Sequence, residues 1–130
     1  MAEIQQGPQP KSWNDGTHKV DYYPWFTGAH PHFYVLSDAK SGQLLSNMAL
    51  GESGEVLGLE THPKYRNQGL ATKLWTTAQK NHKEQKLPAP RHSKTMTKSG
   101  EAWAKKVGGE LPKDRRISNV TQMRNMLGWN

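Results

Sequence analysis

Residues 55–71, which read EVLGLETHPKYRNQGLA, decide the fold of this chain. Their first part, Glu55–Glu60, is a short run whose apolar side chains alternate onto both faces, as in a central strand that is buried on both sides. After Pro63 the apolar spacing changes to that of an amphipathic helix. The helix carries its apolar residues on one stripe, namely Leu70, Ala71, Leu74, Trp75 and Ala78. The sequence therefore predicts a strand, a loop and a helix over Glu55–Gln85.

Two strand-like runs precede this unit, His32–Ser37 and Gln43–Leu50, and short turn signals containing Gly and Ser separate the three runs. Together they predict an antiparallel three-strand meander followed by helices, which is an α+β fold with a mostly antiparallel central sheet. An earlier aromatic segment, Val20–Phe26, is interrupted by Pro24. It fits either a short first strand or an irregular lid.

The chain after the first helix predicts two further elements. Arg91–Ser93 fits a short strand, because Pro88-Ala89-Pro90 breaks the chain before it. A second helix is predicted with Thr97 as its N-cap, Glu101 in its first turn and Gly108-Gly109 at its end. Its buried side would consist of Ala102, Trp103 and Val107.

The ends of the chain are poor in large apolar residues. Residues 1–18 contain Trp13 but are otherwise rich in Gln, Pro, Asn and Gly, so we expect a flexible N-terminal arm. The domain itself is predicted to cover residues 19–112. Residues 113–130 would form a C-terminal tail with a short helix at Ser118–Leu127, ended by Gly128.

Composition excludes several classes of protein. The chain has 130 residues, no Cys and a net charge of +7, so disulfides, thiolate metal sites and a Cys nucleophile are excluded. No His spacing other than His30-Pro31-His32 suggests a metal site, so we expect none. No apolar run approaches the ~18 residues of a membrane span, and we expect a cytoplasmic protein. The positive charge favours an acidic partner, whether a polyphosphate ligand, an acidic protein or nucleic acid, without choosing among them.

The loop between strand and helix is suited to phosphate binding. The first turn of a helix has backbone N–H groups without intrahelical partners and a partial positive charge. Gly69 and Ala71 leave room for a ligand there, Arg66 and Lys64 add positive charge, and Gln68 can turn its amides toward a phosphate.

The string Arg66-x-x-Gly69-x-Ala71, preceded by His62-Pro63-x-Tyr65, resembles the acyl-CoA signature of the GNAT acetyltransferases. The resemblance covers about residues 32–109. It implies a GNAT-like fold in which the fourth and fifth strands of the family splay apart and hold the pantetheine arm of acetyl-CoA between them. The family's usual first two helices have no obvious counterpart in the N-terminal 31 residues.

The resemblance also implies a set of ligand-binding residues. The strand end at Leu59–Thr61 would pair with pantetheine, and Arg66 or Lys73 would lie near the adenosine phosphates. Five backbone amides would face the pyrophosphate, those of Asn67, Gln68, Gly69, Leu70 and Ala71. A later string, Arg91–Gly109, is similar to a small GNAT subgroup of actinobacteria and their phages.

The resemblance implies direct transfer of acetyl from acetyl-CoA to an amine, which requires a base and an acid. Glu60 and His92 are candidate bases, with His62 also in reach. Glu60 is equally suited to a plain polar role, and histidines in such positions are more often plain polar loop residues. The family's usual acid is a tyrosine, but its position here is Ala104. Ser93, or Thr95 beside it, could instead donate to the departing thiolate.

Two functions are therefore predicted. The first is an acyl-CoA-dependent N-acetyltransferase acting on a protein lysine, an N-terminus or a small amine, with an acidic protein as one candidate acceptor and a homodimer as one candidate assembly. The second is a catalytically weak binding module of the same fold that docks on nucleic acid or an acidic protein. A DNA-modifying enzyme would fit the charge but has no motif of its own.

Overall fold

The computed structural model describes residues 8–28, 31–96, 98–108, 111–113 and 116–117. Its centre is a five-stranded antiparallel sheet in which each strand pairs with the next along the chain. The strands are β1 (Lys11–Asn14), β2 (His18–Pro24), β3 (His32–Asp38), β4 (Leu44–Leu50) and β5 (Val56–Thr61). Two helices follow, α1 (Leu70–Gln85) and α2 (Lys98–Val107).

The predicted α+β fold is confirmed, and the meander is β3, β4 and β5. The turn between β3 and β4 forms because the Asp38 carboxylate accepts hydrogen bonds from the backbone N–H groups of Lys40 and Ser41, and Gly42 adopts a φ of +78°. Such a positive φ is strained for residues with a side chain, which explains the glycine.

The prediction of a flexible arm over residues 1–18 is wrong at Lys11–Asn14, which forms β1 and pairs with β2. The hairpin forms because the Asp15 carboxylate accepts the N–H groups of Thr17 and His18 at 2.9 and 2.8 Å, and because Trp13 packs against the core. A two-stranded ribbon alone would be marginal, so the third strand and the core contact are needed to stabilise it.

The open question about Val20–Phe26 is resolved in favour of a strand. β2 runs through Val20 and Tyr22, both of which are buried in the core, and it ends at Pro24. Residues 25 and 26 lie outside the strand and are exposed.

Helix α1 packs on one face of the sheet through the apolar stripe that the sequence predicted. Leu74 and Ala78 are buried in the same cluster as Tyr34 and Met48 of the sheet. The helix also makes a polar contact with this face, because Asn81 Nδ2 donates to the Tyr34 hydroxyl at 3.0 Å. The helix ends where Lys86 takes a left-handed conformation and donates its N–H to the His82 carbonyl.

The strand register divides the side chains between the two faces of the sheet. Tyr34, Met48 and Leu59 are Cα partners across β3, β4 and β5, so they share the face that packs on α1. Their chain neighbours Asn47 and Glu60 are partners of each other and lie on the opposite face. This assignment decides the environment of the predicted base, Glu60.

The chain segment that follows α1 pairs with the outer edge of β5 at one point only and then separates from it. This separation corresponds to the splay that the family resemblance predicted. Arg91 bridges to Glu55 in parallel, with the Val56 N–H donating to the Arg91 carbonyl at 2.9 Å. The predicted strand at Arg91–Ser93 is reduced to this single bridge. Beyond it the chain forms β6 (Thr95–Met96), which pairs with β7 (Arg116–Ile117) rather than with β5.

Helix α2 confirms most of the predicted second helix. Glu101 lies in its first turn, and it ends at Gly108, whose φ is +86° and whose N–H donates to the Ala104 carbonyl at 3.1 Å. The predicted burial of Ala102 is wrong, because the buried side of the helix runs through Trp103, Ala104 and Val107, and Ala102 is exposed. The predicted cap Thr97, Gly109 and the helix Ser118–Leu127 lie outside the described residues.

Candidate functional site

The turn between β5 and α1 has the backbone shape of an anion-binding site. Asn67 and Gly69 both take left-handed conformations, with φ of 63° and 78°, on either side of Gln68. Alternation of left-handed and ordinary conformations points successive N–H groups into one concavity. Asn tolerates this region better than other residues with side chains, which accounts for Asn67.

The N-terminal end of α1 is open. Gly69 is the N-cap and makes no side-chain capping bond, and the first turn contains no acidic residue. The intrahelical ladder begins with the bond from the Lys73 N–H to the Gly69 carbonyl, so the amides of Leu70 and Ala71 have no intrahelical acceptor. Apart from Gly69 and its chain neighbours, no described residue has an atom within 4 Å of the point where a Cβ on Gly69 would sit. An anion can therefore approach these amides directly.

This amide end is held firmly in place. The Leu70 side chain is buried in the core, and the half-buried Tyr65 packs against the same cluster. The Tyr65 hydroxyl donates to Gln43 Oε1 at 3.3 Å. This hydrogen bond and the packing on the core account for the position of Tyr65. A short 3-10 turn, Pro63–Tyr65, is capped by His62, whose Nδ1 accepts the Lys64 N–H at 3.2 Å.

Basic side chains surround the turn, and they differ in how far their charge is compensated. Arg66 is exposed, and its Nε donates a long hydrogen bond of 3.5 Å to the Thr61 carbonyl. Lys73 is ion-paired with the Asp15 carboxylate, and its Nζ lies 3.2 Å from His18 Nδ1. The backbone N–H of His18, and then Lys73, hold the pKa of Asp15 well below its usual range. Asp15 therefore stays ionised and offsets part of the positive charge.

The outer edge of β5 presents backbone groups at Leu59 and Thr61. The His62 N–H donates to the Leu45 carbonyl, and the Glu60 carbonyl accepts from Ser46 Oγ at 2.8 Å, so these groups point toward β4. In an antiparallel ladder alternate residues turn their polar groups to opposite sides, so those of Leu59 and Thr61 point to the outer edge. Beyond the bridge at Glu55, none of the described strands pairs with this edge.

Glu60, the first candidate base, is half-buried on the sheet face opposite α1. Ser46 fixes the backbone on which it stands, since Ser46 Oγ contacts both the Glu60 carbonyl and Thr61 Oγ1. Glu60 thus belongs to the strand that has the open edge and leads into the anion-binding turn.

His92, the second candidate base, is buried with 5% exposure and packs in a ring cluster. It stacks on Trp75 of α1 with ring centroids 4.4 Å apart and meets Trp103 of α2 edge-on at 5.7 Å. Its Nε2 lies 2.7 Å from the Gly108 carbonyl, so this nitrogen carries the proton and donates it. The ring thereby ties the splayed segment to both helices.

The half-buried Ser93 is two residues past the bridge between Arg91 and Glu55, on the segment that His92 anchors. The next residue, Lys94, donates its N–H to Glu55 Oε2 at 3.2 Å. These contacts keep Ser93 near the start of β5. Ala104, which occupies the position of the family's tyrosine, is buried and has no hydroxyl to offer.

Sequence reasoning missed the contact of the β1–β2 turn with the site through Asp15, His18 and Lys73. The dipeptide Asp15-Gly16 between two short runs is a hairpin signal that could have indicated this turn.

Among the described residues, no group of three or more metal-ligating side chains is arranged to hold an ion, and no helix is long and apolar enough to span a membrane. Comparison with protein families gives a match to the acetyltransferase (GNAT) family over residues 1–91. No curated protein matches the chain.

Proposed function

The chain belongs to the GNAT acetyltransferase family, and on this premise we propose that it transfers an acetyl group from acetyl-CoA directly to an amine. The observation that carries the proposal is the open amide end of α1, where Asn67 and Gly69 are left-handed and the first helical turn has no acidic side chain. A pyrophosphate fits this concavity because it accepts several N–H bonds and is attracted by the helix dipole.

The ligand contacts follow from the same geometry. The amides of Asn67, Gln68, Gly69, Leu70 and Ala71 bind the pyrophosphate, and Arg66 contributes charge at its rim. The outward backbone groups of Leu59 and Thr61 pair with the amides of the pantetheine arm, as an added strand would. This arrangement lays the arm along β5 from the turn, past Glu60 and toward the start of the strand, where Ser93 lies.

For catalysis we assign Glu60 as the base that takes a proton from the attacking amine. The amine nitrogen forms the new C–N bond to the acetyl carbon, the C–S bond breaks, and the departing thiolate gains a proton. Ser93 donates a hydrogen bond to that sulfur in place of the missing tyrosine. We assign His92 a positioning role, because its Nε2 is engaged with Gly108 and its ring holds the segment that carries Ser93.

Two measurements test the proposal. Acetyl-CoA at 100 times its dissociation constant should raise the free energy of unfolding by about 2.7 kcal/mol, and no rise in melting temperature would refute acyl-CoA binding. Release of free CoA is then followed with a panel of amines. Glu60→Gln, which keeps the shape but removes the base, should lower kcat by about 10²-fold or more without changing stabilisation by acetyl-CoA.

The net charge of +7 supports a second, weaker candidate, the binding module for nucleic acid or an acidic protein. A module that only docks has no need for the open turn at Gly69, which favours the enzyme. Binding to DNA or RNA that persists at high salt, together with no acetyl-CoA stabilisation, would favour the module. An acidic protein acceptor, a homodimer, a cytoplasmic location and a phage or actinobacterial origin remain predictions.

A further inference from the structure

Gly54, in the turn between β4 and β5, lies very close to the chain segment that follows α1. The residue is buried and has a φ of +88°. A Cβ on Gly54 would lie 2.2 Å from the carbonyl oxygen of Ala89, 3.0 Å from its carbonyl carbon and 3.3 Å from the Pro88 carbonyl oxygen. Non-bonded carbon atoms prefer separations of about 3.5–4.0 Å. No side chain larger than hydrogen therefore fits at position 54 while the two segments keep this distance.

The atoms that a Cβ on Gly54 would meet belong to the backbone, which cannot rotate away as the end of a long side chain can. This backbone is also tied to the turn by hydrogen bonds. The Arg91 N–H donates to the Gly54 carbonyl at 2.9 Å, and the Val56 N–H donates to the Arg91 carbonyl, also at 2.9 Å. The Gly54 N–H closes the turn by donating to the Gly51 carbonyl at 3.0 Å. A side chain at position 54 would push the two segments apart and disturb these bonds.

Two side-chain contacts strengthen the same junction. Arg91 Nη2 donates to Ser53 Oγ at 2.9 Å, and Glu55 Oε2 accepts the Lys94 N–H at 3.2 Å. We call this junction of residues 53–56 with residues 89–94 the clamp. Because β5 begins at Val56, the clamp joins the strand to the later segment at the end that is far from the anion-binding turn.

The clamp decides the shape of the gap beside β5. Beyond the bridge between Glu55 and Arg91, none of the described strands pairs with the outer edge of β5, so the two segments diverge. The gap is therefore closed at the clamp and open toward Thr61. Its width next to the clamp depends on how closely Gly54 approaches Ala89.

Resting on the proposed acetyltransferase function, we propose that Gly54 is a positioning residue that sets the distance between β5 and Ser93 and so places the thioester of acetyl-CoA. The pantetheine arm enters the gap from the turn at Gly69 and lies along β5 toward the clamp. Ser93 is two residues past Arg91, so its hydroxyl reaches the sulfur only while the clamp keeps this segment close to β5. Gly54 acts through the backbone that carries Ser93.

Two ligands separate this role from a general loss of stability. Acetyl-CoA occupies both the turn and the gap, whereas 3′-phospho-ADP has the same phosphates without the pantetheine arm. Gly54→Ala should weaken the binding of acetyl-CoA by about tenfold, measured by calorimetry, and change the affinity for 3′-phospho-ADP by less than about twofold. It should also lower kcat for acetyl transfer by about tenfold or more, because the Ser93 hydroxyl is displaced from the sulfur.

Gly42→Ala is the matched control for Gly54→Ala. Gly42 also has a positive φ, of 78°, so alanine is strained there too. Apart from Gly42 and its chain neighbours, however, no described residue has an atom within 4 Å of the point where its Cβ would sit. Gly42→Ala should therefore bind both ligands as wild type does. Wild-type affinity of Gly54→Ala for acetyl-CoA, or a parallel loss for both ligands, would overturn the role of Gly54.

A second measurement uses wild type alone and does not depend on the variant folding. If an intact clamp favours acetyl-CoA binding, bound acetyl-CoA must favour the intact clamp by the same factor. The N–H groups of Val56 and Arg91 should therefore exchange with solvent about tenfold more slowly with saturating acetyl-CoA than with saturating 3′-phospho-ADP. Equal exchange rates would refute the role of Gly54 and leave the acetyltransferase proposal intact. Failure of wild type to bind acetyl-CoA would refute the acetyltransferase proposal itself.

Discussion

The ring of His92 lies parallel to that of Trp75, with an interplanar angle of 1° and centroids 4.4 Å apart. This stack joins α1 to the chain segment that follows it and bridges to Glu55 beside β5. Trp103 of α2 contacts both rings edge-on. The splay beside β5 is therefore held by a ring cluster and by the hydrogen bond from His92 to the Gly108 carbonyl.

The first prediction concerns the stability of this cluster. His92→Ala should lower the free energy of unfolding by about 2–4 kcal/mol, because it removes a buried ring and leaves the Gly108 carbonyl without its donor. His92→Gln keeps an N–H donor and should cost clearly less. Urea unfolding measures both, and a loss under about 0.5 kcal/mol for His92→Ala would show that the cluster contributes no more than an ordinary surface residue.

The second prediction uses two glycines with the same φ. Gly69 and Gly42 both have a φ of 78° and, apart from their chain neighbours, no described residue with an atom within 4 Å of the point where a Cβ would sit, but only Gly69 is at the end of α1. Alanine at either position should cost about 1–2 kcal/mol of backbone strain. Only Gly69→Ala should also weaken acetyl-CoA binding, by about tenfold, measured by calorimetry. Equal affinity in the two variants would place the phosphates elsewhere.

The third prediction concerns the ion pair of Asp15 with Lys73. Asp15→Asn removes a negative charge near the open end of α1, so acetyl-CoA should bind about two- to fivefold more tightly at low salt, with the gain fading as salt is added. Asp38→Asn is the matched control, because Asp38 also accepts two backbone N–H groups in a turn but is not paired with Lys73. Equal affinities of the two variants for acetyl-CoA at low salt would contradict this prediction.

The fourth prediction concerns pH. His32 is 8% exposed, its Nδ1 lies 2.7 Å from the Tyr22 hydroxyl, and burial lowers the pKa of His32 below 6.5 although Glu52 opposes this. As the pH falls, His32 takes up its proton in the unfolded chain at a higher pH than in the folded chain. The contribution of His32 to the free energy of unfolding is therefore complete above pH 6.5 and is lost as the pH falls below 6.5. His32→Gln should flatten the fall in melting temperature between pH 7 and 5, as followed by circular dichroism. A fall of the same slope in the variant would assign the effect to other groups.

Much of the fold could be predicted because the signals are local. The strand at Val56–Thr61, the turn at Gly69 and the stripe of α1 each depend on residues close in sequence, where apolar periodicity and glycine conformation dominate. β1 was missed because its few apolar residues are stabilised by partners elsewhere, chiefly β2 and the core. The error at Ala102 had a related cause, since the buried side of α2 depends on what packs against it.

By itself, the sequence indicated the family. It also predicted the proposed phosphate-binding residues Arg66, Gly69 and Ala71, because backbone shape and charge at a turn depend on residues close in the chain. The tertiary structure alone decided the other end. It paired Lys73 with Asp15, buried His92 against Trp75, and set Asn47 opposite Glu60, with no partner for the Asn47 carboxamide among the described residues. Each of these relationships joins residues distant in the chain, and their charge compensation, burial and hydrogen bonding depend on the packing that brings them together.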